Sequence, residues 1–228
     1  MVQKIEVQAI LSKRKTLAGA ILSMGMLVAV LAVVFFAWKA EEVFEGDSIK
    51  TDEAVRAFIH TYATVGLTQA MQFFAFLGST LFLSLSSLLI ILVLITRQKV
   101  RSALILVIVM TGAVILNNVL KISFSRARPL PYFDTPLPAS FSFPSGHALL
   151  SVCFYGSLAW LFSRMLIGTS TKVWVWTAAA LMALLIGLSR IYLGVHYPTD
   201  VLAGFTAAIV WLAVVKMAES VLVRPADS

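Results

Sequence analysis

The sequence contains one cysteine and few charged residues, and each scarcity excludes a class of protein. A single cysteine in 228 residues excludes a disulfide-stapled secreted module. Charged residues make up 13% of the chain against 60% hydrophobic residues, which excludes disorder and is unusual for a soluble domain. The 12 glycines follow no fixed period, so a collagen-like fibre is also excluded. An integral membrane protein remains, in agreement with the mean hydropathy of +0.93.

Long runs without charge predict where the chain crosses the membrane. A hydrocarbon core of roughly 30 Å needs about 20 helical residues, and residues 17–38 form the first such run. This run resembles a signal peptide but is too long for one, so we predict an uncleaved first span. Five more spans are predicted, and the last three are so short that their helices should extend beyond them. The five lie at residues 78–96, 102–120, 147–163, 173–189 and 201–215.

The segment before the second span has the spacing of one helical face. Val55, Phe58, Ile59 and Tyr62 follow the i, i+3, i+4, i+7 pattern, which predicts an amphipathic helix at the membrane interface. The chain contains no internal repeat and no flexible linker. We therefore predict one all-α domain over residues 1–228, a bundle of six transmembrane helices with this interfacial helix on its outer side.

The positive charges indicate how the bundle is oriented. A formal net charge of +7 would suit nucleic-acid binding, but the cations form short clusters between apolar runs, so no nucleic-acid partner is expected. Residues 1–15, 97–101, 164–172 and 216–228 hold 11 of the 18 lysines and arginines. The positive-inside rule makes these segments cytoplasmic. Both termini of this multi-pass protein of the plasma, or bacterial inner, membrane are then cytoplasmic, and the opposite loops face outward.

Three segments on the predicted outer side concentrate polar residues that are costly near lipid. They combine cations, two histidines and a carboxylate, and phosphoryl transfer needs cations around the phosphate, a nucleophile and a proton donor. His196 and Asp200 are four residues apart, so the carboxylate can accept from one ring nitrogen and leave the other as a nucleophile. Ser145 and Gly146 precede an apolar run, where a helix N-terminus would attract phosphate, and His147 lies on its first turn.

The same segments resemble the three signature motifs of the type 2 phosphatidic acid phosphatase family, complete and in order. They are Lys121-x6-Arg128-Pro129, Pro144-Ser145-Gly146-His147 and Ser189-Arg190-x5-His196-x3-Asp200. The resemblance covers residues 121–200, and the predicted spans extend it over nearly the whole chain.

The resemblance implies a metal-independent phosphatase without a cofactor. In that family pattern His196 attacks phosphorus to give a phosphohistidine, Asp200 orients it, and His147 is the general acid. The remaining motif positions are implied to bind the phosphate oxygens: Lys121, Arg128, Ser145, Gly146 and Arg190. The chain also shows no carboxylate, Cys or His cluster at metal-ligand spacing.

The sequence leaves the substrate and part of the function open. The resemblance suggests a lipid phosphate substrate, with phosphatidylglycerophosphate, phosphatidate and undecaprenyl diphosphate as the candidates. Two alternatives use the same cations: a transporter or binding protein for anionic lipids, and a lipid phosphotransferase that transfers the phosphoryl group or the headgroup to another lipid. Transporters usually have repeated halves, and none is apparent here. The oligomeric state is not indicated.

Four further polar residues receive structural interpretations. Arg126 is interpreted as an arginine that extends to the interface. Asn117 lies one turn before Lys121 and either positions that lysine or, as is commoner in membranes, bonds between helices. His60 is interpreted as exposed or interfacial, and Cys153 as a small buried apolar side chain.

Overall fold

The computed structural model describes residues 26–133 and 137–222, and within these ranges all regular structure is helical. The described part of α1 covers residues 26–45. The other helices follow in chain order: α2 Ile49–His60, α3 Val65–Leu77, α4 Thr80–Thr96, α5 Val100–Phe124, α6 Gly146–Met165, α7 Thr169–Tyr192 and α8 Pro198–Leu222. The predicted all-α class is confirmed.

Four helices in the described ranges, α5 to α8, are long and apolar enough to cross a membrane. The pair α3 and α4 would make a fifth span if the two helices, bent by 46° at their junction, cross together. The predicted first span lies partly outside the described residues, so the count of six spans stays a prediction. As expected, the helices of the last three spans extend beyond their apolar runs, to 20, 24 and 25 residues.

The region between α1 and α4 contains one helix more than the sequence predicts. The amphipathic segment is α2, but α3 then precedes the helix predicted at residues 78–96. Two side chains cap the N-termini of α3 and α4. The Thr64 hydroxyl accepts from the backbone N–H of Leu67 at 3.2 Å, and the Ser79 hydroxyl accepts from that of Phe82 at 3.3 Å. Both caps lie within residues 57–96, which contain no charged residue. The composition of this run therefore does not show where one helix ends and the next begins.

Helix α6 lies at the centre of the bundle and packs against α4, α5, α7 and α8. The main core cluster lies where these helices meet and includes Leu83, Val109, Leu149, Phe154 and Ala208. Cys153, with no exposed surface, is part of this cluster, as the sequence analysis expected. The buried contacts hold the ends of α6 at fixed positions relative to its neighbours.

The motif segments lie at one end of this bundle because helices alternate in direction. Helices α5 and α7 end there, and α6 and α8 begin there. The short connection from α7 to α8 turns at Gly194, which has a left-handed φ of +76°. A Cβ at this glycine would lie 2.6 Å from the backbone nitrogen of Tyr132, so the α5–α6 loop can pack closely against the turn.

Candidate active site

The structure brings the three motifs together at the end of the bundle where α6 and α8 begin. The backbone N–H of Ser145 donates to the carbonyl of Asp200 at 2.9 Å, which joins the second motif to the third. This approach depends on Gly204, one turn further along α8, because a Cβ there would lie 2.6 Å from the Ser145 carbonyl oxygen. The first motif reaches the same place through Lys121 at the end of α5 and Arg128 in the following loop.

His196 and Asp200 form a buried pair, as their spacing predicts. The His196 Nδ1 lies 3.3 Å from Asp200 Oδ2, and the two residues are 2% and 0% exposed. Asp200 is the third residue of α8, and its Oδ2 also accepts from the backbone N–H of Tyr197 at 2.9 Å, which satisfies a free donor at the helix start. The sequence Tyr-Pro-Thr-Asp after His196 thus places the carboxylate where it both caps α8 and orients the ring.

Arg128 determines which nitrogen of His196 carries the proton. Its Nη1 lies 3.0 Å from His196 Nε2, and an arginine can only donate, so Nε2 is the acceptor and is unprotonated. The proton of the neutral ring is then on Nδ1, where it points at Asp200. Burial lowers the pKa of His196 to about 4, although the hydrogen bond and charge of Asp200 oppose this shift. The ring is therefore neutral at neutral pH, with an unprotonated Nε2.

The cations of the first motif are held by neutral carbonyl groups. Lys121, 7% exposed, donates its ammonium to the carbonyl of Phe141. Besides its contact with His196, Arg128 donates to the carbonyls of Val195 at 2.9 Å and Ser140 at 2.8 Å. Carbonyl partners fix these side chains without neutralising them, so their positive charge remains available to an anion.

Arg190 and Ser145 each have a buried polar atom without a partner among the described residues. Arg190, 7% exposed at the end of α7, has no acceptor for its Nε, and Ser145, fully buried at the start of α6, has none for its hydroxyl. Buried polar groups are almost always hydrogen-bonded in proteins. Ser145 is the N-cap residue of α6, whose N-terminus itself favours anions, and Arg190 lies near His147 on the first turn, so their arrangement fits a phosphate group.

His147 lies on the first turn of α6, half-buried and within Coulomb range of His196, Arg190, Arg128 and Lys121. A Cβ at Gly78, between α3 and α4, would lie 3.3 Å from the His147 ring. His147 therefore lies near the other motif residues, on the side towards the junction of α3 and α4.

Three residues outside the predicted set complete the surroundings of Asp200. Ser142, fully buried, donates its hydroxyl to Asp200 Oδ2 and lies 3.4 Å from His196 Nδ1. Arg126 donates to Asp200 Oδ1 at 2.7 Å and to Asp52 of α2 at 2.8 Å. The interpretation of Arg126 as an interfacial arginine is wrong, because its side chain is only 9% exposed and lies between two carboxylates.

Sequence reasoning had little chance of finding these three residues. Asp52 belongs to an acid-rich stretch that an outward-facing loop would already explain. Ser142 is a loop serine outside the three motifs, so nothing in the sequence distinguishes it. Arg126 offered the only signal, as a third cation within the first motif segment.

Asn117 also reaches the site. It is 8% exposed, and a Cβ on Gly146 would lie 3.2 Å from its Oδ1, for which no hydrogen-bond partner is present among the described residues. The asparagine therefore faces the start of α6 rather than bonding to a neighbouring helix. His60, interpreted as exposed or interfacial, is half-buried and stacks on Tyr132 with ring centroids 4.0 Å apart.

Within the described ranges, no three His, Cys, Asp or Glu side chains are grouped so that they could hold a metal ion. The motif cations themselves are Lys121, Arg128 and Arg190.

Comparisons with known proteins agree with the motif arrangement. The family model described as the PAP2 superfamily matches residues 102–221. Phosphatidylglycerophosphatase B of Bacillus subtilis is 32% identical over 184 residues, which cover 80% of this chain and 90% of that protein. The undecaprenyl-diphosphatase of Sulfolobus acidocaldarius is 35% identical over 119 residues, which cover 50% of this chain and 53% of that protein.

A solved structure is similar to most of this chain. The crystal structure of the PAP2-type phosphatidylglycerolphosphate phosphatase from Bacillus subtilis superposes with a TM-score of 0.78 at 29% identity, covering 87% of this chain and 98% of that one. Aquifex aeolicus LpxE shares the fold at 24% identity and a TM-score of 0.55, covering 73% of this chain and 95% of that one. The chain belongs to the PAP2 superfamily, and it is a membrane-embedded phosphatase of that family.

Proposed function

We propose that this phosphatase hydrolyses a lipid phosphate monoester or diphosphate through a phosphohistidine on His196, at the outer face of the membrane. The observation that carries the proposal is the unprotonated Nε2 of His196, which lies beside Arg128 and is oriented by the buried Asp200. A lone pair held in this way among cations is suited to attack phosphorus.

In the first step the lone pair on His196 Nε2 forms a bond to phosphorus. The bond from phosphorus to the lipid oxygen breaks, and its electron pair leaves with that oxygen, which takes a proton from His147. Arg128 exchanges its hydrogen bond with Nε2 for one with a phosphate oxygen. Lys121 and Arg190 neutralise the developing charge, together with the Ser145 hydroxyl and the Gly146 N–H.

In the second step a water molecule attacks the phosphohistidine. His147 takes a proton from the water, the bond between phosphorus and Nε2 breaks, and its electron pair returns to the ring. Inorganic phosphate leaves, and both histidines are restored to their starting states. Asp200 stabilises the positive charge on the His196 ring while the phosphoryl group is attached, because it accepts the hydrogen bond from the Nδ1 N–H throughout.

A lipid tail has a place beside this site. A cleft of about 230 Å³ lies between α4 and α5, with Leu83 and Leu150 among its apolar walls. It includes Thr80, two residues after Gly78, where the chain packs against the His147 ring. A tail in this cleft would remain at the level of the membrane while its phosphate reaches the cations.

The names of the relatives narrow the chemistry without choosing one lipid. They act on phosphatidylglycerophosphate, undecaprenyl diphosphate and, in Rhizobium etli, the 1-phosphate of lipid A. Their common feature is a terminal phosphate on a membrane lipid. We propose that this chain shares that substrate class.

Phosphate release from a panel of lipids tests the proposed activity. Detergent-purified protein should release inorganic phosphate from at least one of phosphatidylglycerophosphate, phosphatidate and undecaprenyl diphosphate, with the same rate in EDTA because the cations are side chains. A rate that requires added metal would contradict the mechanism. Loss of substrate without free phosphate, with a phosphorylated lipid acceptor formed instead, would indicate the phosphotransferase.

Cysteine accessibility tests the outward orientation. Ala139 lies in the exposed α5–α6 loop beside the site, and Ile167, 100% exposed, lies in the α6–α7 loop at the opposite end of α6. In a Cys153→Ser background, Ala139→Cys should react with an impermeant maleimide in intact cells. The matched variant Ile167→Cys should react only after permeabilisation. The reverse pattern would place the site on the cytoplasmic side.

A further inference from the structure

Arg126 lies between two buried carboxylates that come from distant parts of the chain. Its Nη1 donates to Asp200 Oδ1 at 2.7 Å, and its Nη2 donates to Asp52 Oδ2 at 2.8 Å. Asp52 and Asp200 are 1% and 0% exposed, and the ring of Tyr197 covers the guanidinium at 4.0 Å. The ion pairs are therefore shielded from solvent, unlike surface salt bridges that contribute little.

Asp52 also binds the first turn of α8, the helix that carries Asp200. Its Oδ1 accepts from the backbone N–H of Thr199 at 3.0 Å, and its Oδ2 accepts from the Thr199 hydroxyl at 2.6 Å. This N–H is one of the free donors at the start of a helix, so a carboxylate from α2 caps α8. Both carboxylates that Arg126 binds are thus fixed to the same helical turn.

Asp52 and Arg56 fix helix α2 against the site, and its apolar side faces away from the protein. Asp52 and Arg56 face inward, and Arg56 donates to the carbonyls of Leu130 at 2.7 Å and Gly194 at 3.1 Å, one in each loop of the site. Phe58, by contrast, is 62% exposed. The polar side of α2 is the side that contacts the catalytic loops.

We propose that Asp52 and Arg126 are a positioning pair for the nucleophile. Arg126 holds Oδ1 of Asp200, so the carboxylate cannot rotate, and its Oδ2 stays directed at His196 Nδ1. Asp52 holds the guanidinium in turn and keeps its fork aimed at Asp200. The inference rests on the proposed role of His196 and adds two residues that act on it through Asp200.

The test compares substitutions of the pair with a control on the same helix. The variants are Asp52→Asn, which is isosteric, Arg126→Met, and Arg126→Lys, which keeps the charge without the fork. The control is Glu53→Gln, because Glu53 pairs with Arg56 and not with Arg126. Each protein is assayed with short-chain phosphatidate in detergent micelles, and rates are normalised to folded protein.

We expect Arg126→Met to lower kcat by about 10²-fold with little change in KM, because a misdirected nucleophile slows chemistry more than binding. Asp52→Asn should lower kcat in the same direction by a smaller factor, and Arg126→Lys should restore part of the loss. Glu53→Gln should keep the wild-type kcat. If Arg126→Met fails to fold, Asp52→Asn still decides the question.

An Asp200→Asn background separates positioning from a direct contact with substrate. A residue that acts through Asp200 loses its effect once that carboxylate is gone, so adding Arg126→Met should change the residual rate by no more than about twofold. An equal loss in both backgrounds would overturn the inference, as would an unchanged kcat for Arg126→Met and Asp52→Asn. The proposed function would fail separately, through a fully active His196→Ala.

Discussion

A His196→Ala variant is expected to release phosphate about 10⁴-fold more slowly than wild type, or slower still. The imidazole presents an unprotonated ring nitrogen, Nε2, to which Arg128 donates. Without it, water would have to attack the lipid phosphate directly. The cations would still bind the substrate, so KM should change far less than kcat.

Trapping the phosphohistidine tests directly whether His196 is the nucleophile. Wild-type protein mixed with ³²P-labelled substrate and quenched in alkali should carry label on histidine, whereas His196→Ala should carry none. His60→Ala is the matched control, because His60 stacks on Tyr132 and lies outside the motifs. Since burial lowers the pKa of His196 to about 4, labelling should still occur at pH 5. Label on the His196→Ala protein would refute the nucleophile.

Arg190→Met should produce the second largest effect, with opposite signs on activity and stability. Arg190 is buried, and its Nε has no acceptor in the described residues, so it is available to a phosphate oxygen. Loss of such a cation from phosphoryl transfer costs about 10³-fold or more in kcat. Replacing an unpaired buried cation by an apolar chain of similar length should instead stabilise the substrate-free protein.

The measurements are the phosphate release rate and the melting temperature in detergent. An increase in Tm of about 2–4 °C would correspond to about 1 kcal/mol of stabilisation. Arg164→Met is the matched control, because this exposed arginine at the opposite end of the bundle pairs with Glu219 and should change neither quantity much. A lower Tm together with normal activity would show that Arg190 supports the fold and does not bind phosphate.

The buried positive charges explain why one substitution can lower activity and raise stability at this site. Lys121, Arg128 and Arg190 are near one another, and the neutral carbonyl partners of the first two leave their repulsion in place. A bound phosphate relieves this repulsion. The arrangement therefore favours the anion over the empty site at some cost to the folded state.

The amino-acid order alone determined those features that depend on neighbours in the chain. Apolar runs of sufficient length predicted α5 to α8, because a helix in lipid must satisfy its own backbone hydrogen bonds. The four-residue spacing of His196 and Asp200 predicted their contact, because one turn at the start of α8 brings them together. Ser145, Gly146 and His147 are consecutive, so their position at the start of α6 was also predictable from neighbours in the chain.

Only the tertiary structure decided what lies behind the nucleophile. Arg126 is 74 residues from both Asp52 and Asp200, and no periodicity relates positions so far apart. Their meeting depends on α2 folding back onto the loops of the site, with its charged side inward and its apolar side outward. A sequence pattern identifies such a helix as amphipathic, but the packing of the other helices determines what its polar side contacts.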